Sequence, residues 1–146
     1  MATSSNKKRV VILGAGFGGV YTYLQLHKQI HGRNDIEIVL IDKKDYFLFV
    51  PMIHEVATGN LMPSSVVHPI RLVPQCCLEK FIQAEVDHVD LDKQQVQISL
   101  CDSQSREKPQ DSRSSQTIEY DYLALGLGSK TNWFNVPGAQ ENSLTL

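Results

Sequence analysis

The chain lacks an excess of charge of either sign and lacks any apolar run long enough to cross a bilayer. Its 146 residues include 14 basic and 16 acidic side chains, which give a formal net charge of -2. This balance offers no basic field for nucleic acid and no acidic tail, so we expect no nucleic-acid partner. A membrane helix needs about 20 consecutive apolar residues. The polar start, Met1 to Asn6, has no apolar signal region, so we expect a cytoplasmic domain.

Cysteine is also scarce, and its positions do not form a redox or metal motif. The three cysteines are Cys76, Cys77 and Cys101, and no C-x-x-C pair occurs. Adjacent cysteines rarely bridge each other because the geometry is strained. His27 and His31 are four residues apart, but no nearby Asp, Glu or Cys pattern accompanies them. We therefore predict reduced thiols and no metal site.

The chain does contain an apolar strand, Val10–Leu13, that runs into a glycine-rich turn. A helix-compatible segment follows from Val20 to about Ile30. In G-x-G-x-x-G, the first glycine permits a tight turn, the second lets a pyrophosphate approach the backbone, and the third lets the helix lie close to the strand. The helix N-terminus favours the negative charge of the phosphates. The pattern predicts a dinucleotide site whose turn contains Gly14, Gly16, Phe17, Gly18 and Gly19.

A carboxylate completes this unit at the end of the second predicted strand, Asp35–Asp42. Asp42 is placed to accept hydrogen bonds from adenosine ribose hydroxyls and to repel a 2′-phosphate. The alternative is an ordinary βα turn with Asp42 as a solvated strand-end residue. The residues themselves do not distinguish FAD from NAD, because both cofactors share the ADP half.

The remaining pattern predicts an irregular connection and further strands. Asp45–Gly59 is apolar with a central Pro51, which excludes a long regular helix. Pro63-Ser64-Ser65 predicts an N-cap and a short helix through Val66 and Val67. Cys101 to Gln116 predicts a loop. Three segments read as strands: Phe81–Val86, Val96–Leu100 and Ile118–Leu125.

We therefore expect an α/β fold of the Rossmann-like type. A small antiparallel meander should be built around Val96–Leu100. The last parallel strand should deliver Gly126 and Gly128 to the ligand edge of the sheet. The parallel sheet should contain Val10–Leu13, Ile36–Ile41, Phe81–Val86 and Tyr122–Leu125.

Several stretches together resemble the pyridine nucleotide-disulfide oxidoreductase superfamily, and within it the type II NADH dehydrogenases. The stretches cover nearly the whole chain apart from its first residues and the Ser/Gln-rich loop. The Phe/Pro segment and the Tyr-Asp strand are more specific than the glycine turn. The matching segments are Val10–Gly19, Ile41-Asp42-Lys43, Tyr46–Met52, Val56–Gly59, Pro69-Ile70-Arg71, Tyr120–Leu123, Gly128-Ser129 and Val136-Pro137-Gly138.

The resemblance implies that this chain binds FAD, while a second G-x-G-x-x-G, absent here, would bind NADH. Residues 1–146 are then expected to be the first part of an FAD-binding domain, with the NADH-binding domain and the end of the FAD domain outside this chain. The family's Ala-Thr-Gly reads Gly126-Leu127-Gly128 here, so a threonine contact is missing. No residue is predicted to be catalytic. The implied cofactor-binding residues are Gly14, Gly16, Phe17, Gly18, Gly19, Asp42, Lys43, Pro51, Val86, Gly126 and Gly128.

The implied activity of the longer protein is electron transfer from NADH through FAD to a quinone, with the fragment alone inactive. Peripheral membrane attachment through later sequence and homo-oligomerisation are compatible with this. One alternative is a protein like sulfide:quinone oxidoreductase, which needs reactive cysteines beside the flavin. Another is a non-catalytic NAD-binding Rossmann module. For the apolar run Phe47–Phe49, core packing and a position on the flavin and quinone side both remain open.

Overall fold

The computed structural model describes residues 7–73, 80–100, 114–129 and 131–143. Short 3-10 helices cover Val50–Met52, Pro63–Ser65 and Ile70–Leu72. The strands and α-helices of these residues are β1 (Lys8–Leu13), α1 (Phe17–Ile30), β2 (Ile36–Asp42), β3 (Tyr46–Leu48), α2 (Ile53–Ala57), β4 (Val67–Pro69), β5 (Lys80–Asp90), β6 (Gln95–Leu100), β7 (Ser115–Glu119) and β8 (Tyr122–Leu125).

A parallel sheet of four neighbouring strands forms the centre of the fold, in the order β5-β2-β1-β8. Strands β1 and β2 read as nearly continuous apolar runs because a parallel sheet is covered on both faces. The predicted parallel sheet is therefore confirmed. Because all four strands point the same way, the ends of β1, β2 and β8 meet at one edge.

The long strand β5 connects this sheet to an antiparallel meander. Its first part pairs with β2, and its second part pairs with β6, which in turn pairs with β7. The pairing of β5 with β6 shifts register between Val86 and His88, and such a bulge bends a strand. The predicted meander around Val96–Leu100 is confirmed. A separate two-stranded sheet joins β3 to β4.

Two apolar clusters cover the two faces of the parallel sheet and give the domain three layers. One cluster joins side chains of β1 and β2 to those of the meander: Val11, Leu13, Val39, Ile41, Ile82, Ala84, Val96, Ile98, Ile118 and Tyr120. The other lies on the α1 side and contains Ile12, Ala15, Val20, Tyr23, Ile38, Leu40 and Ile70. Alternate residues of β1 therefore face opposite layers, as expected for a strand with a side-chain period of two.

The prediction of one strand over Ile118–Leu125 was wrong. Two strands occur there, with a break at Tyr120-Asp121. Strand β7 pairs with β6 in the meander, whereas β8 pairs with β1 at the other end of the strand order. The chain must leave one layer and enter another between them, and a continuous strand cannot do both.

Three smaller boundaries also differ from the predictions. Helix α1 begins at Phe17 rather than Val20, and the 3-10 helix that begins at Pro63 ends at Ser65. Val67 is in β4, where it pairs with Leu48, so the predicted helix through Val66 and Val67 was wrong. Strand β7 begins at Ser115, so two residues of the loop that we predicted to extend to Gln116 belong to this strand. The absence of a long helix through Pro51 is confirmed.

The cysteines of the prediction, Cys76, Cys77 and Cys101, lie outside the described residues. Within the described ranges, no cluster of three or more His, Cys, Asp or Glu side chains could hold a metal ion. The same part of the chain contains no helix with the length and apolar character needed to cross a membrane.

Between β7 and β8 the chain passes from the meander to the parallel sheet. Hydrogen bonds of Asp121 hold this segment in place. Its Oδ1 lies 2.7 Å from Lys8 Nζ, and its Oδ2 accepts the Arg9 N–H at 2.7 Å. The Asp121 N–H in turn donates to the Arg9 carbonyl at 2.9 Å. The Lys8 ammonium, followed by the Arg9 amide, lowers the pKa of the Asp121 carboxyl below its ordinary value of 3.8. Asp121 thus links the start of β8 to β1 at the point where the chain passes from the meander to the parallel sheet.

Asp121→Asn should lower the midpoint of thermal unfolding at neutral pH by a few degrees. A carboxylate with a lowered pKa stabilises the fold above its unfolded pKa, and this contribution is lost as pH falls through the folded pKa. The midpoints of the two proteins should therefore converge below about pH 3.8. Calorimetric scans at pH values from 7 down to 3, about one pH unit apart, measure the unfolding midpoints of both proteins.

Asp35→Asn is the matched control, because the exposed Asp35 carboxylate pairs with Arg33, which is only two residues away in the chain. Such exposed pairs contribute little to stability. An Asp121→Asn protein with unchanged unfolding at neutral pH would show that the crossing does not depend on this carboxylate.

Candidate cofactor-binding site

A cleft of about 260 Å³ lies where the carboxyl ends of β1 and β2 meet the bulged region of β5. Four of the predicted site residues come together in it: Gly14, Asp42, Lys43 and Val86. Its other lining residues are Ile41, Ala84, Glu85 and Leu127. The charged side chains of this lining are those of Asp42, Lys43 and Glu85.

The turn after β1 has a backbone that only glycine adopts readily. Gly14 has φ +94°, and its N–H donates to the Ile41 carbonyl at 2.7 Å. A Cβ built on Gly14 would lie 2.2 Å from the Gly126 carbonyl oxygen. Both the positive φ and the close approach exclude a side chain here.

Gly19 and Gly126 complete a junction where β1, α1 and β8 touch through backbone atoms. A Cβ on Gly19 would lie 1.7 Å from the Gly14 carbonyl oxygen, and one on Gly126 would lie 3.0 Å from the Gly19 nitrogen. The Gly126 N–H donates to the Leu13 carbonyl at 2.7 Å. We name Gly14, Gly19 and Gly126 the glycine junction. Sequence reasoning anticipated close packing at Gly19 and missed it at Gly126, because that contact depends on β8 pairing with β1.

Gly16 differs from the junction because no described residue apart from its chain neighbours approaches the position of its Cβ. A Cβ built on Gly16 would meet no atom within 4 Å. Gly16 is the N-cap of α1, its carbonyl accepts the Val20 N–H at 2.9 Å, and no side chain caps the helix. The first turn of α1 therefore presents backbone N–H groups and open space, which is the arrangement that suits an anion.

Asp42 reaches from the end of β2 to the turn. Its Oδ2 accepts the Ala15 N–H at 2.6 Å, and its Oδ1 accepts the Lys44 N–H at 2.8 Å. We predicted a ligand contact for this carboxylate and missed the bond to Ala15. The bond depends on the register that sets Leu13 of β1 beside Ile41 of β2, and sequence spacing does not show that register.

Phe17 and Pro51 lie outside the lining of the cleft. The Phe17 ring packs edge-on against Phe47, with centroids 5.0 Å apart, and lies 5.5 Å from Phe49. Phe47 also packs on the α1-side core, which assigns it to core packing. Pro51 is exposed in its 3-10 helix, and Gly128 is an exposed turn residue with φ +78°.

The family profile described as "Pyridine nucleotide-disulphide oxidoreductase" matches residues 8–146. A probable mitochondrial NADH-ubiquinone oxidoreductase of Schizosaccharomyces pombe is 32% identical over 93% of this chain and 23% of its own. The demethylphylloquinone reductase NdbB of Synechocystis is 33% identical over 94% of this chain and 32% of its own. The chain thus spans about a quarter to a third of the length of these relatives.

Two solved structures have the same fold. The sulfide:quinone oxidoreductase of Aquifex aeolicus superposes with a TM-score of 0.71 at 29% identity, over 93% of this chain and 28% of that one. NDH2 of Plasmodium falciparum superposes with a TM-score of 0.69 at 24% identity, over 92% of this chain and 25% of that one. With the profile covering residues 8–146, this chain belongs to the pyridine nucleotide-disulphide oxidoreductase family.

Proposed function

We propose that this chain is the FAD-binding portion of a longer enzyme that transfers electrons from NADH through FAD to a quinone. The observation that carries the proposal is the open backbone at Gly16, above an uncapped helix and beside the cleft that contains Asp42. The two relatives are named as an NADH-ubiquinone oxidoreductase and a quinone reductase. Together these favour a dinucleotide flavin over a non-catalytic NAD-binding module.

The shape and charge of the site fit the ADP half of FAD. The pyrophosphate would lie against the backbone at Gly16, Phe17 and Gly18, where a Cβ on Gly16 would fill the space it needs. Asp42 keeps acceptor capacity for ribose hydroxyls, since each carboxylate oxygen accepts one N–H and has a second lone pair. Lys43 and Val86 line the cleft beyond Asp42 and would flank the adenosine.

FAD would supply the redox chemistry, and this chain would bind and orient it. We assign no general acid or base among the residues that line the cleft. NADH would bind to sequence beyond this chain. Because quinones are lipid-soluble, we propose that the longer protein works at a membrane surface through that later sequence.

The outer edge of β8 supports the proposal that the domain continues. Strand β8 pairs with β1 on one side, and no described strand pairs with its other side. Tyr122 and Leu125 are 62% and 65% exposed. A groove of about 500 Å³ lined by Val10, Leu26 and Ala124 runs beside it. Open strand edges and apolar grooves are normally covered in native proteins, and we propose that the rest of the polypeptide covers these.

A sulfide:quinone oxidoreductase is the second candidate, because the Aquifex enzyme matches this chain at 29% identity. That chemistry requires a thiolate that attacks or carries sulfur. In the sequence, none of Cys76, Cys77 and Cys101 directly follows β1, β2 or β8, the strands whose carboxyl ends meet at the site. We therefore favour NADH as the electron donor.

Gly16→Val in the longer protein should abolish retention of FAD while leaving the fold intact. A Cβ at Gly16 would meet no described atom within 4 Å apart from its chain neighbours, so the branched side chain would extend into the space proposed for the pyrophosphate. Absorbance near 450 nm per polypeptide, with thermal unfolding of the cofactor-free protein, measures both effects.

Gly18→Ala and Gly19→Ala are the matched controls. Gly18→Ala should leave the stability of the fold unchanged, since its Cβ would lie 3.9 Å from the Gly126 Cα. Gly19→Ala should destabilise the fold itself by at least about 1–3 kcal/mol, because its Cβ would overlap a backbone oxygen. Stoichiometric flavin in Gly16→Val protein would contradict the assignment of this turn.

Titration of FAD into the 146-residue chain tests the proposal that the domain is incomplete. With the β8 edge and the adjacent groove uncovered, the chain should self-associate and bind FAD weakly. Fluorescence quenching of FAD and analytical ultracentrifugation measure affinity and mass. A monomer that binds FAD with a Kd below about 1 μM would contradict this proposal.

Replacement of Cys76, Cys77 and Cys101 together by Ser separates the two enzyme candidates in the longer protein. NADH:quinone turnover should stay nearly unchanged, with any loss following stability, because an unpaired Ser in an apolar site costs roughly 1–3 kcal/mol. NADH-dependent and sulfide-dependent quinone reduction are measured side by side. Sulfide activity that disappears in the triple variant, with no NADH activity in the parent, would establish the second candidate.

A further inference from the structure

We propose that Asp42 is a positioning residue that holds the glycine turn in its binding conformation before any ligand arrives. The role differs from the ribose contact described above, because it operates within the ligand-free protein. Its consequence for ligand affinity rests on the proposed function. The role of Asp42 in holding the turn does not rest on the proposed function.

The bond from Asp42 to Ala15 is the centre of this proposal. The Ala15 N–H donates to Asp42 Oδ2 at 2.6 Å, and Ala15 is only 2% exposed. Water therefore has little access to this amide if the carboxylate is removed, and a buried N–H without an acceptor is costly. Gly16 follows directly, so the orientation of the Ala15 peptide sets the direction from which Gly16 faces the open space.

Two consecutive residues at the end of β2 hold two consecutive residues of the turn. The Ile41 carbonyl accepts the Gly14 N–H at 2.7 Å, and the Asp42 carboxylate accepts the next amide. The side chain thus continues the β1–β2 hydrogen bonding after the strands have separated. The Lys44 N–H, at 2.8 Å from Oδ1, fixes the carboxylate so that its other oxygen points at the turn.

The negative charge of Asp42 and its positioning role predict opposite effects of its removal on the binding of an anion that has no ribose. Asp42 is a carboxylate beside the place proposed for the pyrophosphate, so its removal should strengthen anion binding if charge alone mattered. If Asp42 aligns the turn, its removal should weaken anion binding despite the lost repulsion. Inorganic pyrophosphate therefore tests the positioning role. ADP is the comparison ligand, because it adds the ribose.

The first measurement is hydrogen exchange of the Ala15 amide in the ligand-free chain, by NMR or by mass spectrometry of peptides spanning the turn. In Asp42→Ala, this amide should exchange about tenfold faster or more, with amides of Val11 and Ile12 as internal references. Asp42→Asn should be intermediate, because its one side-chain oxygen can still accept an N–H.

Asp90→Ala is the matched control. Asp90 Oδ1 also accepts a backbone N–H, from Lys93 at 2.9 Å, in the turn between β5 and β6. Its replacement should leave the exchange of Ala15 unchanged. Unchanged exchange of Ala15 in Asp42→Ala overturns the proposal, whatever the ligands do.

The second measurement is binding of inorganic pyrophosphate and of ADP, followed at the Gly16 amide by NMR. Asp42→Ala should weaken both by on the order of fivefold. Weaker ADP binding with unchanged or stronger pyrophosphate binding would show that Asp42 acts on the ribose alone, which overturns the positioning role. If neither probe binds even to the longer protein, while Ala15 protection depends on Asp42, the hold on the turn is supported and the proposed function fails.

Discussion

The close contact between backbone atoms at the glycine junction leaves no room for side chains. The rest of the site depends on this constraint. Gly14, Gly19 and Gly126 bring β1, α1 and β8 within van der Waals distance of one another, with a Cβ on Gly19 only 1.7 Å from another backbone oxygen. This contact places the N-terminus of α1 near the carboxyl end of β2. The open space at Gly16 lies beside this contact, and the β1–β2 register then brings Asp42 within reach of Ala15.

The three-layer arrangement explains why the chain changes direction where it does. Strand β5 belongs both to the parallel sheet and to the meander, so the meander can fold over one face while α1 covers the other. The crossing at Tyr120-Asp121 then returns the chain to the sheet, where Asp121 fastens it to Lys8 and Arg9. A motif that the resemblance connects with cofactor binding therefore also has a structural role.

Local patterns in the sequence were sufficient for β1, β2, the helix after the glycine turn and the strands of the meander, because apolar period and glycine placement act over a few residues. The division of Ile118–Leu125 could not be predicted this way, since both halves are strands and only their partners differ. The contacts of Gly126 and of Asp42 with the turn were missed for the same reason. Each joins residues far apart in the chain, and its geometry is set by sheet register.

The pairing of β1 with β8 has a consequence for the order in which the molecule assembles. Arg9 and Asp121 are in contact although 112 positions separate them, so the two sides of the glycine junction are synthesised far apart in time. Contacts this distant in sequence form late and slow folding. On the ribosome, the turn and α1 would emerge early and precede β8, so the glycine junction would stay incomplete until nearly all of these residues had been translated.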